Sequence, residues 1–172
     1  MTPTPTAPDA SAATRLTPSV TAAPYDHPEA RRLTQALRAE QLGLYGFADD
    51  PDTTPAANFN PPLGLFILAR IGEEPVGCGG VRLLDECTAE IKRMYVANQA
   101  RGHGIGRYLL EQLEHHAVSR GRTQILLETG RRNTAALALY RRTGYVPCPS
   151  YVPGRDHRVN RAMTKAVSTD SL

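Results

Sequence analysis

The sequence predicts a mixed α/β domain built on one mostly antiparallel sheet of about six or seven strands, with helices on both faces. Three observations carry this. Three apolar runs, near residues 65–69, 75–83 and 89–96, are separated only by short turns, which makes an antiparallel meander. A helical stripe then follows (Ile105, Leu109, Leu110, Leu113, Ala117). A short apolar strand and a second helix come after it, so the second half alternates strand and helix.

Residues 1–17 hold Pro, Thr, Ala and Ser with almost no large apolar side chain, so they are expected to form a disordered tail. One domain is expected over 18–167, with a short tail over 168–172; a chain of 172 residues suits a single core. Ser19 to Ala22 reads as a first strand. At Asp26-His27-Pro28-Glu29 a helix starts, with Pro at the first helical position. Leu33, Leu37 and Leu42 stripe that helix to about Leu44. The stretch 45–62, rich in Asp, Pro, Asn and Gly, reads as a long loop with room for one helical turn.

Leu65 to Ala69 is apolar throughout and reads as a buried strand. Gly72-Glu73-Glu74 turns it into the strand 75–83, and Asp85-Glu86 turns that into Ala89–Val96. The third strand breaks alternation, because Lys92 and Arg93 sit together between Ile91 and Met94. One extra residue there, a β-bulge, restores the apolar face. The helix from Ile105 stops at Gly121, Gln124 to Glu128 is a buried strand, and Asn133 to Thr143 is a helix ended by Gly144. Tyr145-Val146 opens another strand, and 157–166 offers a last one.

The segment Arg101-Gly102-His103-Gly104-Ile105-Gly106-Arg107 follows a strand and opens a helix. Its glycines remove the side chains that would keep a ligand from the backbone. The first turn of a helix carries N–H groups with no intrahelical partner, and with the helix dipole they make an anion site suited to a pyrophosphate. The dinucleotide spacing G-x-G-x-x-G fails because Arg107 stands where its last Gly belongs, and no G-K-[ST] follows. The pattern that fits is R-x-x-G-x-G, on Arg101, Gly104 and Gly106. A plain loop-to-helix junction is the alternative. Asn133 and Tyr140, seven apart, share one helix face. Asn133 suits an N-cap or a ligand contact, and Tyr140 suits a core aromatic or a working phenol.

From Ala89 to Tyr145 the chain resembles the GNAT family of N-acetyltransferases. The strand Glu90-Ile91-Lys92-Arg93-Met94-Tyr95-Val96 runs into the glycine loop. After Ile125-Leu126-Leu127-Glu128-Thr129 comes Asn133-x-x-Ala136-x-x-Leu139-Tyr140-x-x-x-Gly144-Tyr145. The resemblance reaches weakly back to about residue 19. It implies a sheet splayed between strands 4 and 5, with acetyl-CoA as co-substrate in the cleft. On that basis the backbone of Met94, Tyr95 and Val96 would pair with the pantetheine arm or donate to the oxyanion. Arg101 and the stretch Gly102, His103, Gly104, Ile105, Gly106 and Arg107 would hold the pyrophosphate. Asn133 would contact pantetheine, and Tyr140 would sit near the sulfur as proton donor. Glu90 and Glu128 are candidate bases for the amine; structural ion pairs are the other reading of each.

The implied reaction is direct transfer of acetyl to an amine in a ternary complex. The acceptor, a small molecule or a peptide, is not legible, though residues 45–62, the turn around Glu86 and the segment 148–158 are expected to frame its pocket. Asp49, Asp50 and Asp52 are candidates to attract a cationic amine, and 147–151 to line the floor. A non-catalytic acyl-CoA sensor is the alternative, and Tyr140 argues against it. A nucleic-acid module is disfavoured, since the basic residues are scattered and aromatics are few. No metal is expected, because no His/Cys/Asp cluster has ligand spacing and Cys78, Cys87 and Cys148 lie far apart. No membrane association is expected: no apolar run spans a bilayer and no secretory signal is evident, so the cytoplasm is the expected location. Dimers are frequent in the family, which leaves a homodimer open.

Overall fold

The structure, a computed structural model, describes residues 17–168. The tails expected over 1–17 and 168–172 therefore lie, but for Thr17 and Ser168, outside the described residues. The chain forms β1 (Ser19–Ala22), α1 (Pro28–Tyr45), β2 (Gly64–Ile71), β3 (Glu74–Leu83), β4 (Thr88–Val96), α2 (Ile105–Ser119), β5 (Gln124–Gly130), α3 (Thr134–Arg142), β6 (Val146–Pro147) and β7 (Asn160–Ala166). They make one seven-stranded sheet in the order β1-β2-β3-β4-β5-β7-β6. Every neighbouring pair is antiparallel except β4–β5. The mixed, mostly antiparallel sheet is as expected; that β7 slots between β5 and β6 is new.

Each start and stop has a local cause. Pro28 opens α1, and the ring Nδ1 of His27 accepts the Glu29 N–H at 3.3 Å. Gly46, in the left-handed region at φ 77°, ends it. Leu33 is buried, but Leu42 faces solvent, because the last turns of α1 run past the α1-side core toward the loop after β5, where Arg132 Nη1 donates to the Leu44 carbonyl at 2.6 Å. The long loop holds two 3-10 turns, Pro51–Thr53 and Ala56–Phe59, rather than one turn. It also contributes to the core: Phe59 is buried, with its ring 4.7 Å from Tyr25 and 5.6 Å from Phe66.

The sheet is covered on both sides. The apolar run of β2 divides between them: Phe66 and Leu68 join Ala30 and Leu33 of α1, while Ile67 and Ala69 join Leu109, Leu110 and Leu113 of α2 and Leu137 and Tyr140 of α3. Glycines in β3 permit the close layers. A Cβ on Gly79 would meet Met94 Sδ at 2.7 Å, and one on Gly80 would meet the Phe59 ring at 2.6 Å.

Two features of β4 set up the site. Tyr95 stands opposite Cys78 and Lys92 opposite Gly80, so β4 carries one more residue than β3 across this step. This is the expected bulge, with Arg93 at φ 60°. The second feature is the splay. Pairing of β4 with β5 runs from Thr88↔Gln124 to Ile91↔Leu127 and stops. Beyond it, residues 92–96 and 128–130 leave a cleft between two strand edges whose backbone groups do not pair with each other.

Candidate functional site

The loop leading into α2 is built to leave amides free. The chain passes from the turn Asn98–Ala100 through Gly102 at φ 81° and Gly104 at φ 80°, and Gly104 caps α2 without a side-chain bond. Among the described residues no acceptor takes the N–H groups of Gly102, His103, Gly104, Ile105, Gly106 or Arg107. These donors sit at the positive end of a 15-residue helix. The side chain of Ile105 is buried in the core, which fixes the helix start against the sheet. Gly106 lies against Leu139 and Val96, where an added Cβ would be in ordinary contact at 3.4 and 3.8 Å.

The polar side chains of this loop are used elsewhere. The ring Nδ1 of His103 lies 2.9 Å from the Arg101 carbonyl and braces the turn. Arg107 pairs with Glu111 at 2.7 Å, one turn on. Arg101 donates through Nε to the Val96 carbonyl at 2.8 Å, pairs with Glu40 of α1 at 2.6 Å, and stacks 5.7 Å over the Tyr95 ring. Its charge is thus met by Glu40, and the free donors of the loop are backbone amides. The same bond occupies the Val96 carbonyl. The Met94 side chain packs toward α2, against Gly79.

Asn133 caps α3: its Oδ1 accepts the Ala136 N–H at 3.2 Å. Its amide NH₂ has no acceptor among the described residues, so capping and ligand contact are compatible. Two residues before the end of α3, Tyr140 is buried with its ring 5.7 Å from Tyr145. Burial pushes its phenol up to about 12, so it stays protonated at neutral pH. Its hydroxyl makes no hydrogen bond to any described residue.

Alternation along β4 and β5 sorts the remaining groups. Ile91 and Leu127 face α2 and α3, so Glu90 and Glu128 face the other side, where α1 and the segment 148–158 lie. Glu90 is fully buried. Its carboxylate accepts from Arg82 Nε, from Lys92 Nζ at 3.2 Å and from the Tyr151 hydroxyl at 2.9 Å. Burial and the Glu90 charge raise the Tyr151 phenol, which holds it as the donor. Glu128 accepts from Ser150 Oγ at 3.3 Å and lies 3.2 Å from Arg155 Nε, without hydrogen-bond alignment to it. Its carboxyl is raised above the ordinary value, chiefly by burial, with Arg155 opposing.

Arg155 also forks onto Asp49, through Nη1 to Oδ1 at 2.7 Å and through Nη2 to Oδ2. It thereby ties the loop after α1 to the segment before β7 across the Glu128 side of the cleft. The acidic loop is therefore spoken for: Asp49 holds Arg155, Asp52 pairs with Arg31 at 3.3 Å, and Asp50 caps the next turn. Residues 45–62 and 148–158 meet through Asp49 and Arg155. The turn around Glu86 does not join them, because it precedes Thr88, at the end of β4 that is paired to β5. Sequence reasoning missed Arg82, Tyr151 and Arg155 as partners of the two carboxylates. The order β5-β7-β6 brings the last two there, and no local pattern announces that order.

Among the described residues there is no group of three His, Cys, Asp or Glu placed to hold a metal, and no helix long and apolar enough to cross a membrane.

Comparison with known proteins points to one family. An IAA acetyltransferase of Azospirillum brasilense is 43% identical over 81 residues, which are 46% of this chain and 53% of the relative. The match thus spans about half the length of that relative. A crystal structure from Klebsiella pneumoniae assigned to the acyl-CoA N-acyltransferases superposes with a TM-score of 0.75 at 30% identity, over 88% of this chain and 98% of that one. A GNAT family acetyltransferase from Elizabethkingia anophelis, solved with acetyl-CoA bound, shares the fold with a TM-score of 0.62 at 19% identity, over 87% and 98% of the two chains. The acetyltransferase (GNAT) family profile matches residues 30–145, from α1 to the turn after α3. With that match over most of the chain, the protein belongs to the acetyltransferase (GNAT) family.

Proposed function

We propose that the protein transfers an acetyl group from acetyl-CoA to an amine by direct attack, with the two substrates meeting in the cleft between β4 and β5. The observation that carries this reading is the pairing of six unclaimed amides, Gly102 to Arg107, with an unpartnered, protonated Tyr140 on the same side of the sheet. The amides suit a pyrophosphate and fix one end of the coenzyme. The exposed strand edges of residues 92–96 and 128–130 suit an extended pantetheine, and the spare amide of Asn133 offers it a donor.

Acetyl-CoA supplies an activated acyl group as a thioester. Glu128 takes the proton of the incoming amine, for which burial has made it a better base than an exposed glutamate. The nitrogen attacks the carbonyl carbon, the C–N bond forms and the C–S bond breaks. Tyr140 gives its proton to the leaving thiolate. Amides of the bulged segment around Met94 and Tyr95 stabilise the oxyanion. Base and acid thus act from opposite faces of the sheet through the splay. Glu90 has a different role here: with Arg82, Lys92 and Tyr151 on its oxygens, it organises the floor beneath Glu128.

The test is thiol release from acetyl-CoA over a panel of amines, with acetylated product identified by mass. Amine-dependent release supports the reading. Tight acetyl-CoA binding without release for any amine favours a non-catalytic acyl-CoA sensor.

A further inference from the structure

Between the end of α1, the loop after β5 and the turn before β7 lies a groove of about 690 Å³. Its walls hold two aromatic rings, Tyr45 and Phe47, and three arginines, Arg131, Arg132 and Arg158. The rings lie 6.1 Å apart, and Phe47 is half exposed. The one carboxylate in the lining, Asp156, pairs with Arg158 at 3.1 Å. No carboxylate among the described residues pairs with Arg131 or Arg132. Two cations therefore line the groove beside an exposed ring.

The walls are fixed by bonds that leave those charges free. The Arg132 N–H donates to the Tyr45 hydroxyl at 3.2 Å, and Arg132 Nη1 donates to the Leu44 carbonyl at 2.6 Å. The Arg131 N–H donates to the Val159 carbonyl at 2.7 Å. Tyr45 also lies against Gly130, where an added Cβ would come within 2.0 Å of its hydroxyl. The backbone of both arginines and the Tyr45 ring are thus set before any ligand arrives, which lowers the ordering cost of binding one. The lining includes neither Glu128 nor Tyr140, and no residue of the glycine loop. The groove is therefore separate from the residues given to acetyl transfer and to the pyrophosphate.

We infer that this groove is a ligand site of its own, for a small aromatic anion: an aryl ring carrying a carboxylate or a phosphate. The guanidinium groups of Arg131 and Arg132 take the anion, and Phe47 and Tyr45 take the ring. A guanidinium fork matches paired oxygens of either anion, and an aryl ring buries apolar area against the aromatic walls. An inorganic anion would leave the ring surface uncovered, and a neutral ring would leave both cations unmet. One charge-assisted hydrogen bond contributes enough for about a tenfold change in affinity. The inference stands apart from the transferase reading, since it uses none of the residues given to that reaction.

The experiment is an NMR titration of the isotope-labelled full chain with benzoate and with phenyl phosphate, following the amides of Phe47, Arg131 and Arg132. Benzyl alcohol supplies the ring without the charge; acetate and inorganic phosphate supply the charge without the ring. The expected result is that one or both aromatic anions shift these amides and bind about tenfold more tightly than benzyl alcohol, and more tightly than the matching anion without a ring. The tighter of the two then names the anion. R131A/R132A loses the preference over benzyl alcohol, and F47A weakens the preference over the ringless anion. R131A, whose side chain bonds to no described residue, keeps the fold and reduces the first preference. Equal binding of charged and neutral rings, equal binding of anions with and without a ring, or shifts at the glycine loop and none at the groove would overturn the inference.

Discussion

Burial raises both the Tyr140 phenol and the Glu128 carboxyl, and each shift suits the role proposed for it. Burial raises the phenol and keeps its proton on, as a donor to a thiolate must. The substitution Tyr140→Phe keeps the ring and removes only the donor. We expect kcat to fall by about 10²- to 10⁴-fold, with acetyl-CoA affinity within twofold by calorimetry. For Glu128 the sign follows from the direction of the shift. Its carboxyl stays protonated to higher pH than an ordinary glutamate, and the base must be ionised. Activity is therefore lost as the pH falls through that raised value, and the acid limb of the kcat–pH profile lies above the usual glutamate range. In Glu128→Gln that limb disappears; a limb that survived unchanged would assign it to another group.

Elements carry these residues only because certain positions hold no side chain. Gly104 sits at φ 80° and directs the chain into α2. Replacing it with alanine forces a Cβ into the left-handed region, at about 1–2 kcal/mol. We expect weakened acetyl-CoA binding together with that loss of stability, measured by calorimetry and denaturant melts. At Gly80 the constraint is packing. An alanine there meets Phe59 and Phe66 at 2.6–2.8 Å, and over-packing of this kind costs about 1–3 kcal/mol. Gly80→Ala should lower the melting temperature by several degrees, about 2–4 °C for each kcal/mol, while leaving acetyl-CoA affinity intact.

These elements were largely legible in the sequence. The bulge at Lys92–Met94 showed as broken alternation, α1 as a proline-led start, and α2 as a five-residue stripe, because each signal is local. Leu42 was misleading, since a stripe does not say how far the opposing core extends. Placement of β7 between β5 and β6, and with it Tyr151 and Arg155 at the carboxylates, depends on contacts between distant segments.

Across the whole molecule, Arg155 joins three distant segments by binding Asp49 and Glu128. Part-exposed pairs of this sort contribute little to global stability, about 0–1 kcal/mol. Its consequence is for the cleft. Arg155→Ala removes a cation that opposes the rise of the Glu128 carboxyl, so the acid limb should move to still higher pH. The freed segments, 46–62 and 148–158, should become more open to limited proteolysis, with the melting temperature nearly unchanged. A limb that moved to lower pH would contradict the charge assignment.

In the proposed reaction the coenzyme's phosphates lie on the amides that begin α2 and its sulfur beside α3. A crystal structure with coenzyme A bound tests this most directly. The expected result is pyrophosphate oxygens within hydrogen-bond reach of the N–H groups of Gly104 to Arg107, the pantetheine between β4 and β5, and the sulfur within reach of the Tyr140 hydroxyl. A coenzyme seated away from the α2 N-terminus, or with its sulfur on the far side of the sheet from Tyr140, would contradict it.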